Sequence, residues 1–326
     1  MKYAFVEEYR YEHRIDRMCR VLDASRSGYY RWWRQREKKR DTRDKALLEK
    51  IKTAYELGRG TYGSPRITAE LKAQGIGCSE NRVARVMRKY GLVAKTKRKF
   101  KVTTQSKHDK PVAENLVKQQ FVAQRPNQLW TSDITYVWTK EGWLYLAIIL
   151  DVFSRKIVGW SLSSRLTAEL VLLAFNRALE SRHLTPGMIF HSDRGSQYAD
   201  EAIRTALRLL GIRQSMSGTG NCYDNAISES VFHTIKTELI YFLRYETRQE
   251  AISSIFEYIE VFYNRLRRHS SLGNKSPFGK LKKVSLSRWC RYPYFTDDKS
   301  DISPTKGDPY AYPKSNTKHR ERQIDQ

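Results

Sequence analysis

The 326-residue sequence predicts an α/β domain that follows small all-α units. Helix-like apolar periodicity dominates the first third of the chain, a basic segment interrupts it, and strand-like apolar runs begin at about Asn127. With 40% hydrophobic and 29% charged residues, the chain can bury a sizeable core in one to three domains.

Two helical units are predicted first. An N-terminal helical segment, residues 1–40, contains two short helices over 14–36 around a turn at Asp23–Ser27. Its interleaved basic and aromatic side chains suit DNA contact and a small helical core equally. Residues 44–93 are predicted to form a helix-turn-helix-like domain, in which Ser79 caps the second helix. We expect Arg82, Arg85 and Arg88 on that helix to bind DNA, and a merely solvated face is the alternative.

A basic linker is predicted over residues 94–120. Its first part, 94–110, has seven lysines or arginines against one aspartate and almost no apolar periodicity. We expect Lys97, Arg98 and Lys99 to follow a phosphate backbone. At the other end of the chain, residues 281–326 form a polar tail that is expected to be disordered.

Residues 121–280 form the predicted catalytic core. The predicted elements are a strand in LWTSDITYVW, two strands in GWLYLAIILDVFSRKIVGWSL, a helix at Ala168–Arg182, a strand in GMIFHSD, a helix at Asp200–Leu210, a strand in IRQSMS, and helices near Asn225–Leu239 and at Gln249–Arg268. Three strands followed by helix, strand, helix, strand and helix is the order of a ribonuclease-H-like α/β domain. Trp130 and Trp160 are predicted to belong to its core.

The net charge of +25 favours nucleic acid as the partner, because neutralising phosphates releases condensed counterions. A membrane protein is not expected. The longest apolar run, Leu144–Leu150, is far shorter than the roughly 20 residues of a membrane-spanning helix, and the first residues lack the apolar centre of a signal peptide. The four cysteines show no metal-binding spacing and predict free thiols in the cytoplasm.

Three acidic residues are the main candidates for catalysis. Asp133 lies in the first predicted strand, Asp193 ends the fourth, and Glu229 lies on the following helix. Taken singly, each could be a cap, a turn residue or a solvated carboxylate. Brought together, their oxygens would suit Mg²⁺ or Mn²⁺. Two such ions about 3.5–4 Å apart can serve phosphoryl transfer.

Five sequence blocks then resemble a known family: LWTSDITYV, LDVFSRKIVGW, HSDRGSQY, SMSGTGNCYDNAISESVFHTIKTEL and YNRLRRHSSLGNKSP. They are similar to DDE transposases of the IS-three insertion-sequence family, specifically to the second-reading-frame product with its integrase core. The resemblance implies a ribonuclease-H-like core of the retroviral-integrase type, with Asp133, Asp193 and Glu229 as the metal-binding triad. It also implies that Lys236 contacts DNA near the reacting phosphate.

The activity implied is metal-dependent cleavage at the element ends, followed by attack of the freed 3′-hydroxyl on another phosphodiester. The expected partners are double-stranded DNA, further copies of the chain, and a first-reading-frame product or frameshift fusion. The sequence shows no obvious leucine zipper, so we expect it to be the catalytic half, bound to the bacterial nucleoid in the cytoplasm. A non-joining metal-dependent nuclease and a non-catalytic DNA-binding regulator are the alternatives.

Neighbouring residues are expected to support the triad. His191 and Arg194 flank Asp193 and would orient its carboxylate, with turn packing as the alternative. Asn225 precedes the Glu229 helix, where capping by Asp224 or Asn225 is the favoured interpretation. The chain departs from the family pattern at Arg268, where proline is common, and at Gly218–Thr219, where a basic residue is usual. Those departures concern the positioning of DNA.

Overall fold

The structure is a computed structural model that describes residues 1–95, 110–218 and 222–284. Lys97, Arg98, Lys99 and the polar tail from 285 lie outside these residues. Within them, no helix is both long and apolar enough to cross a membrane. Cys19 and Cys78 are free thiols.

The N-terminal segment is built on one long helix. Helices α1 (Lys2–Glu8) and α2 (Ile15–Val21) pack on the start of α3 (Arg26–Leu57), which begins where the side chain of Ser25 accepts a hydrogen bond from the Gly28 N–H. The sequence divided these residues between two predicted units, 1–40 and 44–93, but one continuous helix crosses that boundary. The stretch contains neither glycine nor proline and is rich in good helix formers, so nothing ends the helix there.

The C-terminal half of α3 packs against a helix-turn-helix. Helices α4 (Ser64–Ala73) and α5 (Glu80–Lys89) are joined by a turn in which Gly75 adopts a φ of 77°, a value that favours glycine. Ser79 caps α5 as predicted, since its Oγ accepts from the Arg82 N–H at 3.3 Å. The core of this unit consists of buried aliphatic side chains from all three helices, among them Ile51, Ile67 and Val83.

The α/β domain has the element order that the sequence predicted. Its strands are β1 (Leu129–Thr139), β2 (Gly142–Asp151), β3 (Ile157–Ser163), β4 (Ile189–Ser192) and β5 (Arg213–Met216), and its helices are α6 (Ala168–Ser181), α7 (Glu201–Leu209) and α8 (Ala226–Glu238). The sheet order is β3-β2-β1-β4-β5. The first three strands are antiparallel, and β4 and β5 are parallel to β1. Trp130 and Trp160 are buried, as predicted.

The last helices close one face of the sheet. Helix α9 (Arg248–Phe256) continues directly into a π-helix (Glu257–Leu266), and α10 (Pro277–Val284) follows. The predicted helix over Gln249–Arg268 is therefore present, but its second half is widened. This wider segment buries three aromatic side chains, Tyr258, Phe262 and Tyr263, in the core that also receives α8.

Candidate active site

Strand register brings Asp133 and Asp193 side by side. Parallel strands β1 and β4 pair Ser132 with Ser192, and each aspartate is the next residue in the chain. Both therefore lie near the carboxyl end of this parallel pair, the usual place for ligands in open α/β sheets. Glu229 lies in the first turn of α8, which packs on β1. The structure thus gathers the three predicted carboxylates in one region.

The environment of Asp133 disfavours its charge. Its Oδ1 accepts a hydrogen bond from its own neighbour, the Ile134 N–H, at 2.8 Å. Burial, followed by the nearby Asp193 and Glu229 carboxylates, raises the pKa of Asp133 well above its usual value. Hydrogen bonds from Ile134 and from the Asn225 side chain oppose that rise. Burial combined with repulsion from like charges is typical of functional carboxylates.

The other two carboxylates are held differently. Asp193 Oδ1 accepts from the Gly195 N–H at 3.0 Å, and a Cβ on Gly195 would stand only 3.0 Å from that oxygen. Glycine therefore permits this turn to close on the carboxylate. Glu229 is exposed on the first turn of α8, where partial burial raises its pKa. It is the most exposed member of the triad.

The donor set suits a hard divalent cation, because it consists of carboxylates that repel one another. Across the parts of the chain that the structure describes, no three His, Cys, Asp or Glu side chains stand close enough to hold a metal ion. Asp193 contributes more than Glu229 to the raised pKa of Asp133. At the start of the Glu229 helix, the buried Asn225 Oδ1 and Ser228 Oγ have no hydrogen-bond partner, which leaves polar atoms available there.

Lys236 lies on the same helix face as Glu229, two turns further on. Its ammonium is 5.2 Å from the centre of the Tyr136 ring. Burial lowers the pKa of Lys236, and the negative charge of Asp133 opposes that shift. A partly desolvated cation therefore stands near the Asp133 carboxylate.

His191 supports the site through α8 rather than through Asp193. Its Nε2 lies 2.7 Å from the Asp224 carbonyl oxygen, which can only accept, so Nε2 carries the proton. Its Nδ1 then accepts from the Ser215 hydroxyl at 2.9 Å, and Ser215 Oγ accepts from the Leu116 N–H. Burial lowers the pKa of His191 and keeps the imidazole neutral. The sequence left open whether His191 orients the Asp193 carboxylate or packs a turn, and its hydrogen bonds fix the turn before the Glu229 helix.

That turn is further held by two side chains. Asp224 Oδ2 accepts from the Gly218 N–H at 2.8 Å and from Asn115 Nδ2 at 2.9 Å. Asn225 occupies the N-cap position of α8 but makes no capping hydrogen bond, so the favoured capping role is wrong for its side chain. Its amide serves Asp133 instead. The signal for Asn115 is absent from the local sequence, since its partner lies 109 residues away.

Arg194 donates from Nε to the Ser217 carbonyl oxygen at 2.6 Å. This contact joins the loop after β4 to the end of β5. It agrees with the alternative of turn packing, which the sequence left open.

The arginines of α5 differ in their surroundings. Arg82 and Arg85 both pair with the buried Asp44 of α3, at 3.1 and 3.0 Å. Arg88 is exposed. A groove between α3 and α5 is lined by Trp32, Gln35, Arg36, Arg43, Asp44, Arg82 and Arg85. Asp44 therefore fixes two of the predicted DNA-binding arginines at the edge of a mostly cationic groove.

Comparisons with known proteins define the class. An integrase core domain family matches residues 123–222, a second integrase core domain family matches 210–277, and an HTH-like domain family matches 42–100. With the five-stranded mixed sheet, these matches identify a polynucleotidyl transferase with a ribonuclease-H-like integrase core. Enzymes of this class use divalent metal ions.

Relatives then define the family. The chain is 43% identical over 283 residues to "Transposase InsF for insertion sequence IS3A" of Escherichia coli strain K12, covering 85% of this chain and 97% of that protein. It is 48% identical over 260 residues to "Insertion element IS600 uncharacterized 31 kDa protein" of Shigella sonnei, covering 80% of this chain and 96% of that protein. The chain belongs to the transposases of the IS3 insertion-sequence family, and it is a DNA transposase. The resemblance and the function drawn from the sequence are confirmed.

Solved structures with a similar fold are distant. The magnesium complex of the HTLV-2 integrase catalytic core domain in its trimeric form has a TM-score of 0.39 at 17% identity, covering 48% of this chain and 97% of that chain. A simian T-cell lymphotropic virus intasome in complex with a regulatory subunit of PP2A has a TM-score of 0.42 at 17% identity, covering 75% of this chain and 77% of that chain. The family assignment rests on the sequence relatives.

Proposed function

We propose that Asp133, Asp193 and Glu229 form the catalytic centre of this transposase. It would cleave one DNA strand at each end of an insertion sequence and then join the freed 3′-hydroxyl to another phosphodiester. The observation that carries this proposal is the pairing of Ser132 with Ser192, which sets the two aspartates beside each other under the Glu229 helix.

The carboxylates would hold Mg²⁺ or Mn²⁺, and two ions are proposed. Such ions, when bound, help to deprotonate the attacking oxygen and stabilise the leaving one. The chain's contribution is to hold the carboxylates in place. Asn225 and the Ile134 N–H orient Asp133, the Gly195 N–H orients Asp193, and the His191 hydrogen bonds set the start of the Glu229 helix.

Lys236 would neutralise a non-bridging oxygen of the reacting phosphodiester. Its partly buried ammonium makes that contact stronger than it would be in bulk water. The attacking groups, first water and then a DNA 3′-hydroxyl, come from outside the protein. No side chain needs to form a covalent bond with DNA.

Binding of double-stranded DNA would involve the α5 arginines and the linker. Arg88 is exposed, Arg82 and Arg85 border the cationic groove, and Lys97, Arg98 and Lys99 follow in the chain. The net charge of +25 supports this assignment. Two element ends must meet for transposition, so several copies would assemble on DNA in the cytoplasm, at the nucleoid. The first-frame product, or a fusion with it, would be the partner that recognises the ends.

The test uses a labelled duplex that carries an element end, Mg²⁺, and the first-frame product or fusion in a parallel reaction. We expect nicked and joined strands from the wild type and neither from Asp193→Asn, with DNA affinity largely kept. Glu180→Gln, an exposed acid on α6, is the matched control and should behave as wild type.

Each alternative has a distinct outcome. Nicks without joined strands, even with the partner present, would favour the nuclease. Binding with neither product would favour the DNA-binding regulator. Equal loss of binding and activity in Asp193→Asn would indicate that this aspartate serves folding rather than catalysis.

A further inference from the structure

Besides an ion pair between Arg59 and Glu257, the described residues join the helix-turn-helix unit to the catalytic core by two separate sets of polar contacts. In one set, Arg268 donates to Glu70 of α4 at 2.6 Å and, through its backbone N–H, to the Tyr62 hydroxyl at 2.8 Å. In the other set, Arg66 of α4 donates to Glu238 at 3.4 Å. Only the second set reaches α8, the helix that carries Glu229 and Lys236.

Glu238 is the last residue of α8 and sits in a nearly closed cluster of donors. Arg267 binds it with both Nε and Nη2, at 2.7 and 2.6 Å, and the Tyr258 hydroxyl donates to it at 2.8 Å. The exposed fraction of the side chain is 9% for Glu238 and 4% for Arg267. These hydrogen bonds lower the pKa of Glu238 against the effect of burial, so it remains a carboxylate.

This cluster connects two functional parts of the chain. Glu238 lies two and a half turns from Glu229 along one continuous helix, and a helix moves as a rigid body over that length. Arg66 lies on the first helix of the unit whose second helix carries the candidate DNA-binding arginines. The Arg66–Glu238 contact is therefore a direct link between the DNA-binding unit and the helix of the proposed catalytic glutamate.

We propose that Arg66 is a positioning residue that acts through Glu238 to set the Glu229 helix. DNA engagement by the helix-turn-helix unit would thereby favour the catalytic position of Glu229 and Lys236. This inference rests on the proposed catalytic role of Glu229. It predicts an effect on the chemical step that is separate from DNA affinity.

The competing explanation is simple docking, in which Arg66 only helps to attach one unit to the other. Glu70 separates the two explanations, because its ion pair with Arg268 crosses the same boundary without touching α8. If docking alone matters, loss of the Glu70 contact should cost at least as much as loss of the Arg66 contact, because the former is shorter and its arginine is less exposed.

The experiment compares Arg66→Met, Arg66→Lys, Glu70→Gln and wild type. DNA affinity is measured by fluorescence anisotropy, and the strand-cleavage rate is measured in single turnover at saturating DNA. We expect Arg66→Met to lower that rate by roughly three- to tenfold at nearly unchanged affinity. Arg66→Lys should restore most of the rate, and Glu70→Gln should keep it. Tyr258→Phe disturbs Glu238 from within the core and should also slow cleavage.

Three results would overturn the proposal: an unchanged rate in Arg66→Met, an equal loss in Glu70→Gln, or a loss confined to DNA affinity. Thermal unfolding of each variant identifies any that fold poorly. If Arg66→Met is one of them, the single-turnover cleavage rate of Tyr258→Phe decides instead. Glu229→Gln is assayed alongside. If it still cleaves, the proposed catalytic centre is wrong, and that failure is distinct from a normal rate in the Arg66 variants.

Discussion

Replacing Asp133 with asparagine should make the metal-free protein more stable while it destroys activity. Burial and the neighbouring Asp193 and Glu229 carboxylates raise the pKa of Asp133 above its usual value of 3.8. Asparagine removes this charge, and its amide oxygen can still accept from the Ile134 N–H. On the proposed catalytic role, the metal-dependent reaction would require this carboxylate, at a cost to the stability of the metal-free protein.

The magnitude follows from proton linkage. Between the usual pKa and the raised one, the folded protein keeps a proton that the unfolded chain has lost. The stability contributed by that proton is complete below the usual pKa and is lost as the pH rises through the folded-state pKa. The free energy of unfolding of wild type, relative to Asp133→Asn, should therefore fall by about 1.4 kcal/mol per pH unit across that window.

Urea unfolding of both proteins in EDTA, from pH 4 to 9, measures this difference. The pH at which it levels off gives the apparent pKa of the carboxylate. Added Mg²⁺ should stabilise wild type increasingly as the pH rises, since the ligands must be deprotonated, and it should do little for the variant. A difference that stays flat with pH would refute the argument, because it would mean that Asp133 is charged at no cost.

Three further predictions concern the Glu238 cluster, the helix-turn-helix unit and the turn held by His191. Glu238→Gln should lower the free energy of unfolding by about 3–5 kcal/mol in urea titrations, because Arg267 then keeps a buried charge without its partner. A loss below about 1 kcal/mol would show that water reaches the cluster. Arg88→Ala should weaken DNA binding and reduce the slope of log affinity against log salt by about one, if this exposed side chain contacts a phosphate. His191→Phe keeps the contact with Phe121 but leaves the Ser215 O–H without an acceptor and the Asp224 carbonyl without the imidazole donor. It should therefore cost about 2 kcal/mol or more in thermal unfolding and slow cleavage. A stable, fully active variant would contradict the role of the turn.

The positions of the three acids in the fold were predictable because local patterns define each one. Apolar alternation identifies the strand of Asp133, a short apolar run ends at Asp193, and helical periodicity surrounds Glu229. Their proximity followed from the order of strands and helices together with the resemblance. The register that places Asp133 beside Asp193 is a tertiary property and required the structure.

What the sequence could not show are the partners of polar side chains far apart in the chain. Nothing near Arg82 or Arg85 reveals that Asp44 binds both, and nothing near His191 reveals its hydrogen bond to Asp224. Asn225 stands where a capping residue belongs, yet its amide is drawn to the nearby Asp133 carboxylate. At this position, the hydrogen bond to a carboxylate on β1 replaces the capping hydrogen bond that the local sequence favours.

The long helix α3 fixes a distance as well as a contact. One end packs with the buried Tyr29 of the N-terminal cluster, and the other supports the helix-turn-helix through Leu48. Between those two residues the helix axis advances about 29 Å. That is the length of eight to nine base pairs of B-form DNA. The helix therefore sets the separation between its two ends. A four-residue insertion within it would lengthen the span by about 6 Å and rotate one end by about 40° relative to the other.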